Sequence, residues 1–213
     1  MYSDRQDAGR QLVANLRRYT GGDVRVLGLH GSGVPVAAET AARLGCSLDA
    51  LVVRELVVPG PPGVLVGAVA ESPARVLDEE AVRRSGAGET RIRELERDAR
   101  VEARALGLRL RGRRPSLPPT GRDVIVVDDG AAGRLAAEVA CRDARAQGAG
   151  RVVFAVAAAP PDTVDHLWTV ADEVVCPLSP TFFVTASDFY LDFAPVSEVE
   201  AARLLERASQ HTA

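Results

Sequence analysis

Aromatic residues are scarce in this chain, and so are cysteine, histidine and long uncharged stretches. Phe, Trp and Tyr make up only 4% of its 213 residues, against 46% that are apolar. A sizeable core can be built, but from Ala, Val and Leu rather than from rings. The three cysteines, Cys46, Cys141 and Cys176, lie far apart in or beside apolar segments, and no CxxC occurs. They read as small buried side chains; a thiolate–histidine pair formed in space is the other reading. His30 and His166 are isolated. No stretch approaches a membrane span without a charge or a proline, and residues 1–8 hold no apolar run. These absences lead to the expectation of a reduced, cytoplasmic protein with no membrane partner.

Two phosphate motifs are missing as well. No Lys-Ser/Thr pair follows a glycine loop, which excludes the Walker pattern. Gly28, Gly31 and Gly33 are spaced wrongly for a dinucleotide fingerprint. A net charge of −3 with 26% charged residues gives no global attraction to nucleic acid. The segment Arg109-Leu-Arg-Gly-Arg-Arg114 carries four arginines, yet no aromatic is interleaved with them, which argues against a nucleic-acid partner.

What is present is organised around Asp123-Val-Ile-Val-Val-Asp-Asp129, followed by Gly130-Ala-Ala-Gly-Arg134. Four consecutive β-branched residues describe a strand buried on both faces, as in the centre of a parallel sheet. Two carboxylates then stand at its carboxyl end, where open α/β sheets place their ligand crevices. A glycine turn follows, and helical periodicity runs from about residue 133 to 147.

Around this stretch the chain has further elements. Residues 4–19 space Ala8, Leu12, Leu16 and Tyr19 as an amphipathic helix. Residues 24–29 are a strand leading into His30-Gly-Ser-Gly33, and 36–44 a small-residue helix with Gly45 as its cap. Residues 48–53 are a second strand, so the unit favours parallel pairing through a right-handed crossover. Pro59-Gly-Pro-Pro-Gly63 breaks the pattern. Short β-prone pieces at 64–69 and 76–77 and a polar helix at 90–106 then form an insertion, about residues 54–119, without a substantial core of its own. Later come a strand at 151–157, a helix at 163–170 with Val164, Leu167 and Trp168 inward, a short strand at 173–176 and a final helix capped by Ser197 and Glu200. The whole predicts one three-layer α/β domain over residues 1–213.

Asp128 and Asp129 admit two readings. They can accept hydroxyls of a sugar, whose donors answer two like charges in a cleft. Alternatively one caps the turn and the other is solvated. The turn at Gly130 and Gly133 lets backbone N–H groups approach an anion at a helix start, although such turns also join strands to helices without any ligand.

The segment Asp-Val-Ile-Val-Val-Asp-Asp-Gly-Ala-Ala resembles the diphosphoribose-binding motif of the type I phosphoribosyltransferase family: a hydrophobic run, two acids, then Gly-x-Ala-Thr-Gly. The resemblance continues through Asp4-Arg-Gln-Asp-Ala-Gly-Arg-Gln-Leu, Gly33-Val-Pro-Val-Ala, Gly67-Ala-Val-Ala-Glu71, Arg113-Arg-Pro115 and Phe189-Tyr-Leu-Asp-Phe193. It covers nearly the whole chain and is strongest to a bacterial branch. It implies a Rossmann-like parallel sheet with a hood and a mobile loop, the latter between about residues 82 and 114. The implied ligand is phosphoribosyl pyrophosphate with Mg²⁺, transferring phosphoribose to a nitrogenous base as pyrophosphate leaves. On that resemblance Asp128 and Asp129 hold the ribose hydroxyls. Gly130, Ala131, Ala132, Gly133 and Arg134 surround the 5-phosphate, and His30, Gly31, Ser32 and Gly33, with Arg54 nearby, serve the pyrophosphate.

The chain departs from its branch at three points. His30-Gly31-Ser32-Gly33 stands where Pro-Arg-Gly-Gly is usual, Arg54-Glu55 where Arg-Lys is usual, and Ala132-Gly133-Arg134 where Ala-Thr-Gly closes the loop; an alternative alignment deletes the threonine and keeps Gly133 as the motif glycine. Each lost charge-assisted hydrogen bond is worth about 1.5–3 kcal/mol, so pyrophosphate binding weakens by orders of magnitude unless His30 and Arg134 restore it. The expectation is a divergent phosphoribosyltransferase of unknown acceptor. Its alternative is a non-catalytic or altered-chemistry protein that binds a ribose-5-phosphate derivative or nucleotide. A homodimer is only the general expectation for such a chain.

Overall fold

The computed structural model describes residues 1–29, 31–116, 118–131 and 133–211. Helix α1 (Arg5–Leu16) starts at Asp4, whose carboxylate accepts the N–H of Asp7 at 2.7 Å, and runs into a 3-10 turn at Arg17–Tyr19. Strand β1 (Val24–Leu29) follows, then α2 (Val34–Leu44), which ends where Gly45 turns left-handed at φ 69°. Strand β2 (Ser47–Leu51) passes into β3 (Val53–Val58) with a single residue, Val52, between them.

Strands β3, β4 (Val64–Ala70) and β5 (Arg75–Leu77) make a separate three-stranded antiparallel sheet. Two helices, α3 (Glu79–Ser85) and α4 (Glu89–Arg111), complete this hood. Its own core is a small cluster around Leu56, Val66, Val69, Ala81 and Ile92. Residues 82–114, which the resemblance gives to a mobile loop, are the end of α3, a short turn and α4. The polar helix is longer than its apolar stripe suggests, because Ala103, Leu106 and Leu110 carry burial on to its last turn.

The chain then returns to the main sheet as β6 (Asp123–Asp128), followed by α5 (Arg134–Ala146), β7 (Arg151–Val156), α6 (Pro161–Leu167) and β8 (Glu173–Val175). A 3-10 turn at Ala186–Phe189 and helix α7 (Glu198–His211) end the fold. Trp168 is a correction to the sequence reading. Helix α6 closes at Leu167, and the indole just beyond it is 53% exposed rather than inward.

The main sheet is parallel throughout, in the order β2-β1-β6-β7-β8. Val124, Ile125, Val126 and Val127 of β6 are fully buried, because helices cover both faces of this central strand. Helices α1, α2 and α7 pack on the face of Ile125 and Val127, and α5 with α6 on the face of Val124 and Val126. At about 1.5–3 kcal/mol for each fully buried Val or Ile, this strand is among the main stabilising elements. The architecture is a three-layer, Rossmann-like α/β fold carrying a hood. Among the described residues no helix is long and apolar enough to cross a membrane.

Candidate functional site

Strand order places a switch point between β1 and β6. From β1 the chain crosses by α2 to β2 on one side; from β6 it crosses by α5 to β7 on the other, and the two helices lie on opposite faces. The loops after β1 and β6 therefore leave in opposite directions at the carboxyl end of the sheet, the place where open α/β sheets set their ligand crevice. His30 and Ala132, both expected in these loops, lie outside the described residues.

Gly33 brings the first loop close to the sheet. A Cβ at this position would meet the carbonyl oxygens of Leu29 at 2.6 Å and Val127 at 2.8 Å, so only glycine lets the backbone rest against both strands. Its N–H donates to Leu29 O at 3.0 Å, and Val34 N–H donates to Gly31 O at 3.3 Å. At Gly31, by contrast, an added Cβ would meet nothing within 4 Å among the described residues. Ser32 reaches the second loop, its hydroxyl donating to Asp129 Oδ1 at 3.4 Å.

Both carboxylates are buried, and they are treated differently. Asp128 ends β6 on the face of Val124 and Val126, and its Oδ1 accepts the N–H of Asp129 at 2.9 Å. Burial first, and the neighbouring Asp129 carboxylate second, raise the Asp128 carboxyl well above its ordinary range. Asp129 is met from α1: Arg5 Nε donates to its Oδ2 at 2.8 Å. The same guanidinium donates to Ala194 O at 2.8 Å and lies 3.8 Å from the centre of the Phe193 ring. Tyr190 closes the arrangement, its hydroxyl donating to Asp129 O at 2.6 Å. Burial raises the Tyr190 hydroxyl far above its usual value, which keeps it a donor.

The turn after the acids is close-packed on one side and open on the other. A Cβ at Gly130 would collide with Ala186 of the 3-10 turn, and Ala131 N–H is already taken by Ala158 O at 3.1 Å. Among the described residues, a Cβ added at Gly133 would meet nothing within 4 Å, and no side-chain hydrogen bond caps the start of α5. Among the described residues, the first N–H groups of that helix thus present their dipole without a side-chain acceptor. Arg134, the first residue of α5, turns its guanidinium toward the hood and not into the turn. It lies 3.1 Å from Asp78 Oδ2 and 3.6 Å from Glu138 Oε2.

Gly31, Ser32, Gly33, Asp128, Asp129, Gly130, Ala131 and Gly133 therefore come to one end of the sheet. Arg54 does not join them through any ion pair or hydrogen bond among the described residues. It sits on β3, paired with Val69, its Nε 3.9 Å from Glu102 of α4. The basic run 109–114 is largely engaged within the chain. Arg109 chelates Glu198, Arg111 is enclosed by Glu71 and Asp49, and Arg114 donates to the carbonyls of Leu110, Arg111 and Leu205.

Sequence reasoning missed Arg5, Tyr190 and Asp78 as contributors. Two of them sat in view, in the quoted opening Asp4-Arg5 and in the aromatic tail, but neither stretch names its partner. Three cavities among the described residues, of about 620, 430 and 330 Å³, are lined elsewhere; none includes Asp128, Asp129 or residues of the glycine turn. Among the described residues no three His, Cys, Asp or Glu side chains gather as a metal-ligand set.

A protein of Mycobacterium tuberculosis (strain H37Rv), provisionally named phosphoribosyl transferase Rv0571c, is 41% identical to this chain over 208 residues, 98% of the chain and 47% of that protein. The crystal structure of TT1426 from Thermus thermophilus shares 36% identity with a TM-score of 0.82, covering 97% of this chain and 98% of that one. The chain belongs to the type I phosphoribosyltransferase family. It is a divergent member of a bacterial branch. A counterpart of the first relative in strain CDC 1551 / Oshkosh matches equally well, and the chain spans about half the length of both. No protein-family model matches the chain. For this phosphoribosyltransferase-family chain the whole-length agreement with TT1426 extends over hood and sheet alike.

Proposed function

We propose that the crevice between β1 and β6 binds phosphoribosyl pyrophosphate, and that the chain transfers its phosphoribose to a nitrogenous acceptor with release of pyrophosphate. One observation carries the reading: an acidic pair at the carboxyl end of the central strand stands at the switch point, beside a glycine turn and an uncapped helix start. In this reaction the C1–O bond to pyrophosphate breaks, an N–C1 bond forms, and positive charge grows at the anomeric carbon. A fixed ribose in a buried, preorganised polar site favours that charge. Asp128 and Asp129 are assigned to the ribose hydroxyls, Gly130 to Arg134 to the 5-phosphate, and residues 30–33 with Arg54 to the pyrophosphate. Mg²⁺ belongs to the same proposal. The protein offers it no carboxylate cluster among the described residues, so substrate phosphates and water would supply most of its shell. The free thiols of Cys46, Cys141 and Cys176 fit a reducing compartment such as the cytoplasm.

Incubation with phosphoribosyl pyrophosphate, Mg²⁺ and a panel of nitrogenous acceptors should release pyrophosphate, and the double variant Asp128→Asn, Asp129→Asn should abolish it. A folded protein that turns over with none of the acceptors counts against the proposal.

A second reading has its own observation. Arg5 occupies Asp129, Arg54 faces Glu102, and Gly31 replaces the usual arginine, so a non-catalytic binder of a ribose-5-phosphate derivative or nucleotide also suits the site. Calorimetry with ribose 5-phosphate, nucleoside monophosphates and phosphoribosyl pyrophosphate separates the two. Binding without turnover supports the second.

A further inference from the structure

Asp78 does two things at once. It stands at the junction of β5 and α3, where its Oδ1 accepts the N–H of Ala81 at 2.9 Å and caps the helix. Its Oδ2 accepts from Arg134 at 3.1 Å, joining the hood to the first residue of α5. We propose that Asp78 determines how tightly the site holds the phosphate of its sugar ligand, by competing with that phosphate for the guanidinium of Arg134. The inference rests on the sugar-phosphate reading of the β1–β6 crevice and concerns a residue that reading leaves out.

Three observations support the competition. First, Asp78 is a good competitor: the Ala81 N–H, and then Arg134, hold its carboxyl below the usual range, so it is charged at neutral pH. Second, Arg134 is free to exchange. Its side chain is 42% exposed, and solvent-facing ion pairs are weak, whereas a phosphate accepts a guanidinium through two parallel charge-assisted bonds. Third, releasing Arg134 leaves no carboxylate stranded. Glu138, its other partner at 3.6 Å, keeps two nearer ones, Arg142 and His166, each at 2.6 Å. The N-cap bond of Asp78 also survives, because it uses the other oxygen.

Arg134 is the first residue of α5, next to a helix start that lacks a side-chain cap among the described residues. All 26 basic residues of the chain, histidines apart, are arginine, so no lysine is present to take its place. A guanidinium at that position either faces the hood carboxylate or grips the anion at the helix start. The hood residue therefore tunes the affinity of the loop.

The test uses the full chain and isothermal calorimetry with ribose 5-phosphate, and with ribose as the phosphate-free control. Asp78→Asn keeps the cap, since Asn serves as well as Asp there, and removes the charge. It should bind ribose 5-phosphate roughly two- to fivefold more tightly than the wild type, the scale expected for removing one exposed ion pair. Affinity for ribose should not change. Arg134→Gln should weaken ribose 5-phosphate binding and erase the gain in the double variant. Equal or weaker binding by Asp78→Asn overturns the inference, as does a gain that persists in the Arg134→Gln background. If neither the wild type nor any variant binds a phosphorylated pentose, the sugar-phosphate reading of the crevice falls, and this inference with it.

Discussion

Arg5 and Asp129 stand 124 positions apart in the chain and 2.8 Å apart in space. Both side chains are more than nine-tenths buried, so the pair ties the first helix to the acid at the end of the central strand. Breaking one side of such a pair leaves a buried charge without an answer. Arg5→Met should cost about 3–5 kcal/mol of unfolding free energy in urea titrations. Adding Asp129→Asn should return part of that loss. A deficit below about 1 kcal/mol would mean that Asp129 finds another partner or reaches water.

Asp128 gives a pH signature. Its folded carboxyl titrates well above the ordinary 3.8, so between those two values the folded chain holds a proton that the unfolded chain has released. Stability therefore falls as pH rises through that window. Asp143, raised by its own burial, acts in the same direction, so the contrast must be made by substitution. Asp128→Asn has no proton to lose and can still accept the Asp129 N–H. Its stability relative to the wild type should climb with pH, at up to about 1.4 kcal/mol per unit, in unfolding curves from pH 4.5 upward. A constant difference would place Asp128 outside the buried environment described.

Gly130 and Ala186 touch where the tail crosses the turn. Gly130→Ala should overpack this contact and cost about 1–3 kcal/mol in thermal or urea unfolding. Trimming the opposite side with Ala186→Gly should restore most of it. Limited proteolysis between residues 180 and 190 should accelerate in the single variant only.

Arg111 ties the hood to the main sheet. It donates to both oxygens of Glu71 at 2.8 and 2.9 Å, to Asp49 at 3.0 Å and to Ala50 O at 2.7 Å. A lysine cannot reproduce that fork, so Arg111→Lys should destabilise nearly as much as Arg111→Met, about 3 kcal/mol or more. Gly107→Ala should also be harmful, because its methyl would land on the Glu71 carboxylate. Full stability in Arg111→Lys would show that charge alone suffices.

The sheet was largely legible because its strands are short apolar runs bounded by glycine and charge. Strand β1 and helix α5 fall within a residue or so of expectation, and the acidic pair ends β6 as its pattern implies. The hood was less legible. Helix α3 has only Ala81 fully buried, which leaves almost no periodic signal. The passage from β2 to β3 is invisible in sequence, since Leu48 to Val53 reads as one strand although two sheets share it. Trp168 is misleading in sequence because a large apolar side chain is not always a buried one. The site divided along the same line. Loop glycines and acids announce themselves by local pattern, whereas Arg5, Tyr190 and Asp78 act through partners distant in the chain.

Val52 is the only residue between the sheets on one side of the hood, and it is buried. The return path, residues 112–122, is bracketed by Gly112 and Gly121, both at positive φ. With Val52 as the whole of the link, β3 must begin within about 7 Å of the end of β2. A substitution at this one buried residue therefore bears on both sheets at once.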